Sequence, residues 1–441
     1  SGLHATGVVT ATSFAGDGSA LTGTNRTISG IASGTLANGQ TVIIHSDGKV
    51  GFITETALST PTVSDPVVFE AANTTYSDVG YDSGNGKVVV AYKDGGNSNY
   101  GTAVVGTVSG TSITFGKPVI FEYDATAYPS VAYDSTNEKI VIAYQDDGDS
   151  DRSKAIVGTV SGTSISFGSA ALVDSAVTDQ REQVAVYDSA NNRVVVVYSD
   201  LTNSLGKAAV GTVSGTSISF GTPVNFFSGE TQYIASVYDP DEEKIVVAFR
   251  QAASPYRGKA IVGTVSGTSI SFGTATDFET GGTKQVGMTY DTTNNKIVIG
   301  YMDDDDNDYG KAIVGTVSGT SISFGTPVVF EDAGTYRCHL AYNAAANKVV
   351  IGYADNGNSL NGTVITGTVV GTAITFGTAV VINSNGNTDH IGVTYDSVNK
   401  RAVTVFRNRG NSNNYGNAVV VNNSGTNLTT ENFIGFSDAA Y

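Results

Sequence analysis

SVAYD (130–134), KIVIAYQD (139–146), KAIVGTV (154–160) and TSISF (163–167) are four short runs separated by turn residues, the last two by Ser161-Gly162. Runs such as 88–92 (VVVAY) and 140–144 (IVIAY) are β-branched and aromatic and too short for helices, so they read as strands. They are apolar at successive positions, as strands buried on both faces are. The same four-run unit recurs along the chain. Its marker, Tyr-Asp or once Tyr-Asn, stands at Tyr81, Tyr133, Tyr187, Tyr238, Tyr290, Tyr342 and Tyr395. The spacings are 52, 54, 51, 52, 52 and 53 residues, with units starting near 78, 130, 184, 235, 287, 339 and 392.

Seven four-stranded units at this period predict an all-β fold: a seven-bladed β-propeller over residues 61–441, with four antiparallel strands per blade. The alternative, a long β-solenoid, generally uses shorter repeats and distinct caps. Tryptophan is absent, which excludes the Trp-Asp pair and the tryptophan-bearing Asp-box of named propeller families. The segment 66–70 (PVVFE) copies 327–331 and resembles 118–122, yet it precedes the first unit. It therefore either laps over the joint between the first and last blades or forms a strap before them. Residues 426–438 read as a degenerate copy of TSISFGTPVVFED ending the seventh unit, with Ala439–Tyr441 reaching the place of a further inner strand.

Composition agrees with turn-rich β structure. Hydrophobic residues are 40% and charged residues 15% of 441, against about 25% charged in an ordinary soluble domain. Glycine numbers 53, and the formal net charge is −17. A chain so acidic repels phosphate backbones, which argues against nucleic-acid partners. No apolar run is long enough to insert as a membrane-spanning helix. Cys338 is the lone cysteine, so no intrachain disulfide can form.

The two ends of the strands differ in sequence character. Turns between first and second strands (DSTNEK, DSANNR, DTTNNK) and the Ser-Gly-Thr-Ser hairpins are nearly invariant between repeats and read as structural. Loops between second and third strands vary: 93–101, 145–153, 199–207, 250–258, 302–310, 354–362 and 407–416. Variation on a rigid scaffold marks a binding face. Its candidate ligand-binding residues are Tyr100, Arg152, Arg250, Tyr256, Arg257, Tyr309, Arg407, Arg409 and Tyr415. The four tyrosines are expected at matching loop positions, where they either stack on a ligand or brace the loop. Asp147, Asp149, Asp151, Asp303 and Asp305 place carboxylates at alternate positions, a weak pattern for Ca²⁺ set against a solvated acidic loop. No other cofactor is expected.

None of the histidines, His4, His45, His339 and His390, sits in a nucleophile, zinc or phosphate motif, so catalysis is not expected. His339 and His390 read as core or channel-mouth histidines, and Cys338 as a small buried hydrophobe. Arg181 and Arg337 fall in blade crossings without forming a repeating set.

Residues 1–60 stand outside the repeat and read as a small β-rich docking or oligomerisation segment, with 45–48 as a hairpin turn. Within them, ATSFAGDGSALTG (11–23) resembles a segment that recurs in tail-fibre and other virion appendage proteins of phages, notably of marine cyanobacteria. SGTLANGQTVIIHSDGKV (33–50) is similar to the same group. The resemblance covers about a tenth of the chain and fixes no chemistry. It implies an extracellular structural protein of a virion, whose N-terminal part meets other virion proteins and whose distal domain meets a host-surface glycan or protein. It also implies a homo-oligomer, often a trimer. Two other readings stand beside it: a secreted or cell-surface bacterial adhesin binding glycans or Ca²⁺, and a polysaccharide-active propeller enzyme.

Overall fold

A computed structural model describes residues 31–32, 42–44, 49–52, 60–410 and 413–423. The chain divides into two compact units, residues 60–423 and residues 1–59 with 424–441. In the smaller unit, Val42–Ile44 pairs antiparallel with Lys49–Phe52, as the hairpin reading expects, and Ile31–Ala32 pairs parallel with Lys49 and Val50. The turn 45–48, the segment 11–23 and residues 426–438 lie outside the described residues.

Residues 60–423 form repeated antiparallel sheets without an α-helix among the described residues. The second repeat shows the pattern. Its first strand pairs with Lys139–Asp146, that strand with Arg152–Ser161, and the third with Ser164–Phe167. The chain then returns as a short strap, Ala171–Leu172, along the start of the third strand. In the first and fifth repeats the strap runs without a break into the next first strand, giving Val119–Asp134 and Val328–Asn343.

The Tyr-Asp marker has two separate jobs. Asp134 Oδ1 accepts from Thr136 N and Asn137 N at 3.1 and 2.9 Å and closes its own turn. Tyr133 reaches back to the preceding repeat, where its hydroxyl accepts from Gly84 N at 3.1 Å. Tyr81 makes the same contact with Val398 N of the seventh repeat, at 3.3 Å.

The apolar core is layered between neighbouring sheets. Seven buried clusters among the described residues each join two consecutive repeats, and one joins Val403, Val405 and Val420 of the last to Val79, Val90 and Val104 of the first. Beneath the straps runs a set of struts. Tyr92, Tyr144, Tyr198, Tyr301 and Tyr353, all fully buried, donate to Glu70, Glu122, Asp174, Glu279 and Glu331 at 2.8–3.0 Å. Two repeats carry Phe249 and Phe406 instead, and both lose the acid: Phe227 packs on Phe249 at 5.0 Å, and Asn383 holds the other strap position.

The fourth-strand place of the seventh repeat is filled from the other end of the chain. Thr62–Val63 pairs antiparallel with Val421 and Asn422, and Val67–Glu70 pairs with 416–418 as a strap. Ser64 N donates to Val420 O at 3.0 Å, matching Gly325 N to Val314 O at 2.9 Å. Residues 62–70 are thus the strand and strap of the last repeat. This is an all-β, propeller-like arrangement of repeated antiparallel sheets.

Candidate functional site

Every first strand is broken near its start by a bulge. Pairing with the second strand shifts register between Thr75 and Asp78, Ala127 and Ser130, Arg181 and Val184, and at the matching place in the other four repeats. The bulged residue has a left-handed backbone in all seven: Tyr76, Tyr128, Glu182, Tyr233, Gln285, Arg337 and His390, with φ between 46° and 57°. Bulky side chains rarely adopt this conformation, and bulges re-aim side chains beside functional sites. The residue two before each bulge is Thr in six repeats and Gln180 in the third, and all seven are buried. The scaffold is therefore nearly constant while the residue it presents is Tyr in three repeats and Glu, Gln, Arg and His in the others.

These residues lie on the face of the variable loops. Thr74 pairs with Asp94 at the end of the second strand, and Asp94 with Tyr100 at the start of the third. Neighbours touch around the set. Tyr76 stands 4.7 Å from Tyr128 and 4.9 Å from His390, ring centre to ring centre. Glu182 Oε2 accepts from Ile234 N at 3.2 Å, and Gln285 Oε1 from Arg337 N at 3.3 Å.

The chemistry here is cationic and aromatic, in a molecule that is acidic overall. Arg337 Nε donates to Asp389 Oδ1 at 2.7 Å, and Arg407 donates to Asn73 Oδ1 at 2.7 Å. Arg250 lies over Tyr233 and Tyr256, 5.6 and 4.4 Å from the ring centres. Arg250 Nε and Arg407 Nε are buried with no hydrogen-bond partner among the described residues. Burial pushes the Glu182 carboxyl up to about 7, although backbone amides and then Arg337 and Arg250 favour its charge. Arg337 and Arg250 come from the sixth and fourth repeats and Glu182 from the third, so the set converges. Burial pulls His390 down to about 3, with Arg337, Arg407 and Arg409 adding to the shift over the opposing Asp389.

The structure separates the sequence candidates. Arg250 and Arg407 join this cluster, and exposed Arg409 borders it. Arg257 pairs with Asp277, and Arg152 with Asp149. Tyr100, Tyr309 and Tyr415 open third strands at equivalent places, and Tyr100 packs edge-on against Tyr123 of the strap at 5.7 Å. Tyr256 does not match them. Counting from Gly258 and Gly310, Arg257 is the equivalent of Tyr309, and Tyr256 of Asp308. Tyr256 has φ 64°, and its carbonyl accepts from Thr283 N at 3.0 Å, as the Asp308 carbonyl does from Thr335 N. That backbone position is fixed by the joint to the next repeat.

The alternating aspartates are held by nearby groups. Asp147 pairs with Lys93 at 3.1 Å, Asp149 with Arg152 and Lys154, and Asp151 accepts from Gln145 at 2.9 Å. Asp303 pairs with Lys311 at 2.7 Å, and Asp305 accepts from Gly282 N at 2.9 Å. No group of three His, Cys, Asp or Glu side chains suited to a metal occurs among the described residues. Cys338 is buried, and burial pushes its thiol up. His339 Nδ1 accepts from Val393 N at 3.1 Å, tying the sixth repeat to the seventh.

Sequence reasoning singled out the loops and missed the bulges. The one trace of them in the sequence is a column of five residue types two places after a near-constant Thr, and it does not announce a bulge.

No family model matches the chain, and no curated protein matches it. Among solved structures it is similar to a crystal structure of a protein of unknown function from Dyadobacter fermentans DSM 18053. The identity is 12% and the TM-score 0.51, over 82% of this chain and 99% of that one. At that identity the likeness speaks for the fold alone.

Proposed function

We propose that residues 60–423 are a seven-bladed β-propeller, closed by residues 62–70, whose face of bulges and variable loops recognises a ligand. We assign the chain to a phage virion as a fibre-like attachment protein. Residues 1–60 dock it to other virion proteins or to copies of itself, and the propeller meets a host-surface glycan or protein. The blade count rests on seven repeats, seven layers in cyclic order and the filling of the last fourth strand from the N-terminal side. The observation that carries recognition is the contrast between faces. One is uniform turns held by their own aspartates, and the other presents seven re-aimed side chains of five kinds, three of them tyrosine. The virion assignment is supported by the resemblance of residues 11–23.

Binding without turnover is the chemistry this face supports best. Immunogold labelling of virions with antibody to the propeller tests the assignment. Label on a tail appendage is expected, and particles without label overturn it. Release of reducing sugar from host envelope would contradict binding without turnover.

A further inference from the structure

We infer that the bulge cluster is a binding site for a carboxylate-bearing saccharide, held by Arg250, Arg337 and Arg407 with Tyr76 and Tyr128 as the surface on which the sugar ring packs. This rests on the reading of that face as the recognition surface and adds the class of ligand.

Charge is the first argument. The chain carries 41 acidic and 24 basic side chains, so an anion is repelled from most of its surface. Here three guanidinium groups from the fourth, sixth and seventh repeats come within electrostatic reach of one another or of the shared Glu182 and Asp389. Burial lowers the Arg407 pKa most, Asp389 opposes that, and Arg409 and Arg337 add to the lowering, so like-charge repulsion between guanidinium groups acts at that point. A carboxylate between these groups would relieve it.

Unmet hydrogen bonding is the second. Guanidinium groups present a planar fork of donors that suits a carboxylate. Arg250 Nε and Arg407 Nε are buried donors without acceptors among the described residues, and a buried donor left unmet is costly.

The aromatic pair is the third. Tyr76 and Tyr128 are half-buried and tilted at 52° to one another, and Tyr76 lies against His390, itself beside Asp389. Tyrosine offers an apolar ring face with a polar tip, which suits a sugar ring better than a long charged polymer. The backbone strain at these positions is the remaining sign. Five of the seven equivalent left-handed places hold Tyr, Arg or His and two hold Glu182 and Gln285, each an unfavourable backbone state, and such strain concentrates at ligand sites.

Calorimetry on the full chain provides the test. The probes are trigalacturonate and sialyllactose, each beside its methyl ester, with poly-glutamate as a peptide control. Saturable binding of at least one acid sugar and loss of binding on esterification are expected. Arg337→Gln with Arg407→Gln should weaken binding at least about tenfold, as loss of charge-assisted hydrogen bonds does, while the melting temperature stays close to that of the parent. Arg337→Lys with Arg407→Lys should recover part of it. Should the double Gln variant unfold, Tyr128→Ala serves in its place, with the same loss expected. Ester and acid binding alike, or poly-glutamate alone binding, overturns the inference. So does no binding of any sugar at about 1 mM. If acid sugars bind but only Tyr100→Ala with Tyr309→Ala weakens them, the cluster is the wrong site and the inference falls, though the face is the right one. If only changes in the Ser-Gly-Thr-Ser hairpins weaken them, the face itself is wrong.

Discussion

Glu182 is the residue whose titration the structure makes most informative. Its folded pKa, about 7, lies above the ordinary glutamate value of 4.5, chiefly through burial. The groups facing it are Arg337, Arg250, Tyr128 and the backbone amides of Tyr233 and Ile234. The folded chain therefore binds a proton that the unfolded chain has released between about pH 4.5 and 7, and this group makes stability fall as pH rises through that window. Glu182→Gln should raise the melting temperature at pH 8 and leave it unchanged at pH 4. An equal change at both would show that the carboxyl is not perturbed. The struts offer a second residue-level test. Tyr144→Phe removes the donor to Glu122 Oε2, leaving only Tyr123 N on the other oxygen, and should cost about 1–2 kcal/mol by denaturant melts. Adding Glu122→Phe copies the Phe227–Phe249 pair and should restore most of it. The double variant falling further would show that the strut has no apolar equivalent.

Glycines after the fourth strands of five repeats, Gly116, Gly168, Gly221, Gly273 and Gly325, fix how closely one element follows the next. A Cβ on Gly221 would stand 2.0 Å from the Thr268 carbonyl oxygen, in the hairpin of the following repeat. That contact is backbone and cannot swing aside, so Gly221→Ala should cost about 1–3 kcal/mol by overpacking. Gly215→Ala meets no atom within 4 Å and suffers only from its φ of 61°, so it should cost less. Denaturant midpoints compare the two, and the reverse order would contradict the packing described. At this scale the sequence was legible: strand runs, turns and hairpins are local, and the chain states them seven times. The bulges were not. A bulge leaves apolar alternation nearly intact on either side, and its sign is a φ value, which no residue type but glycine announces. The loop tyrosines were misaligned at Tyr256, which stands one place earlier in its nine-residue loop than Tyr309 does in its own. The loop's register is set by Gly258 at its end, where pairing resumes.

Closure of the repeats over residues 60–423 is what the proposed propeller requires at the largest scale. The early copy of PVVFE was readable as an eighth segment, but whether it closed the set or preceded it depended on pairing over more than 340 residues. Phe69 is buried in the layer between the last and first repeats, against Tyr92 and Phe115. Phe69→Ala should cost about 3–5 kcal/mol, as much as Phe278→Ala within the repeats, and the chain should still melt in one transition. A near-neutral Phe69→Ala would mean that residues 62–70 are only a leader. The central claim, that one face recognises a ligand through its bulged first strands, is tested most directly by hydrogen exchange on the full chain with and without trigalacturonate or sialyllactose, whichever binds. The account predicts added protection at the strand starts around 75–78, 127–130, 181–184, 232–235, 336–339 and 389–392. Protection confined to the Ser-Gly hairpins around 109–112, 161–164 and 214–217, or found nowhere, would contradict it.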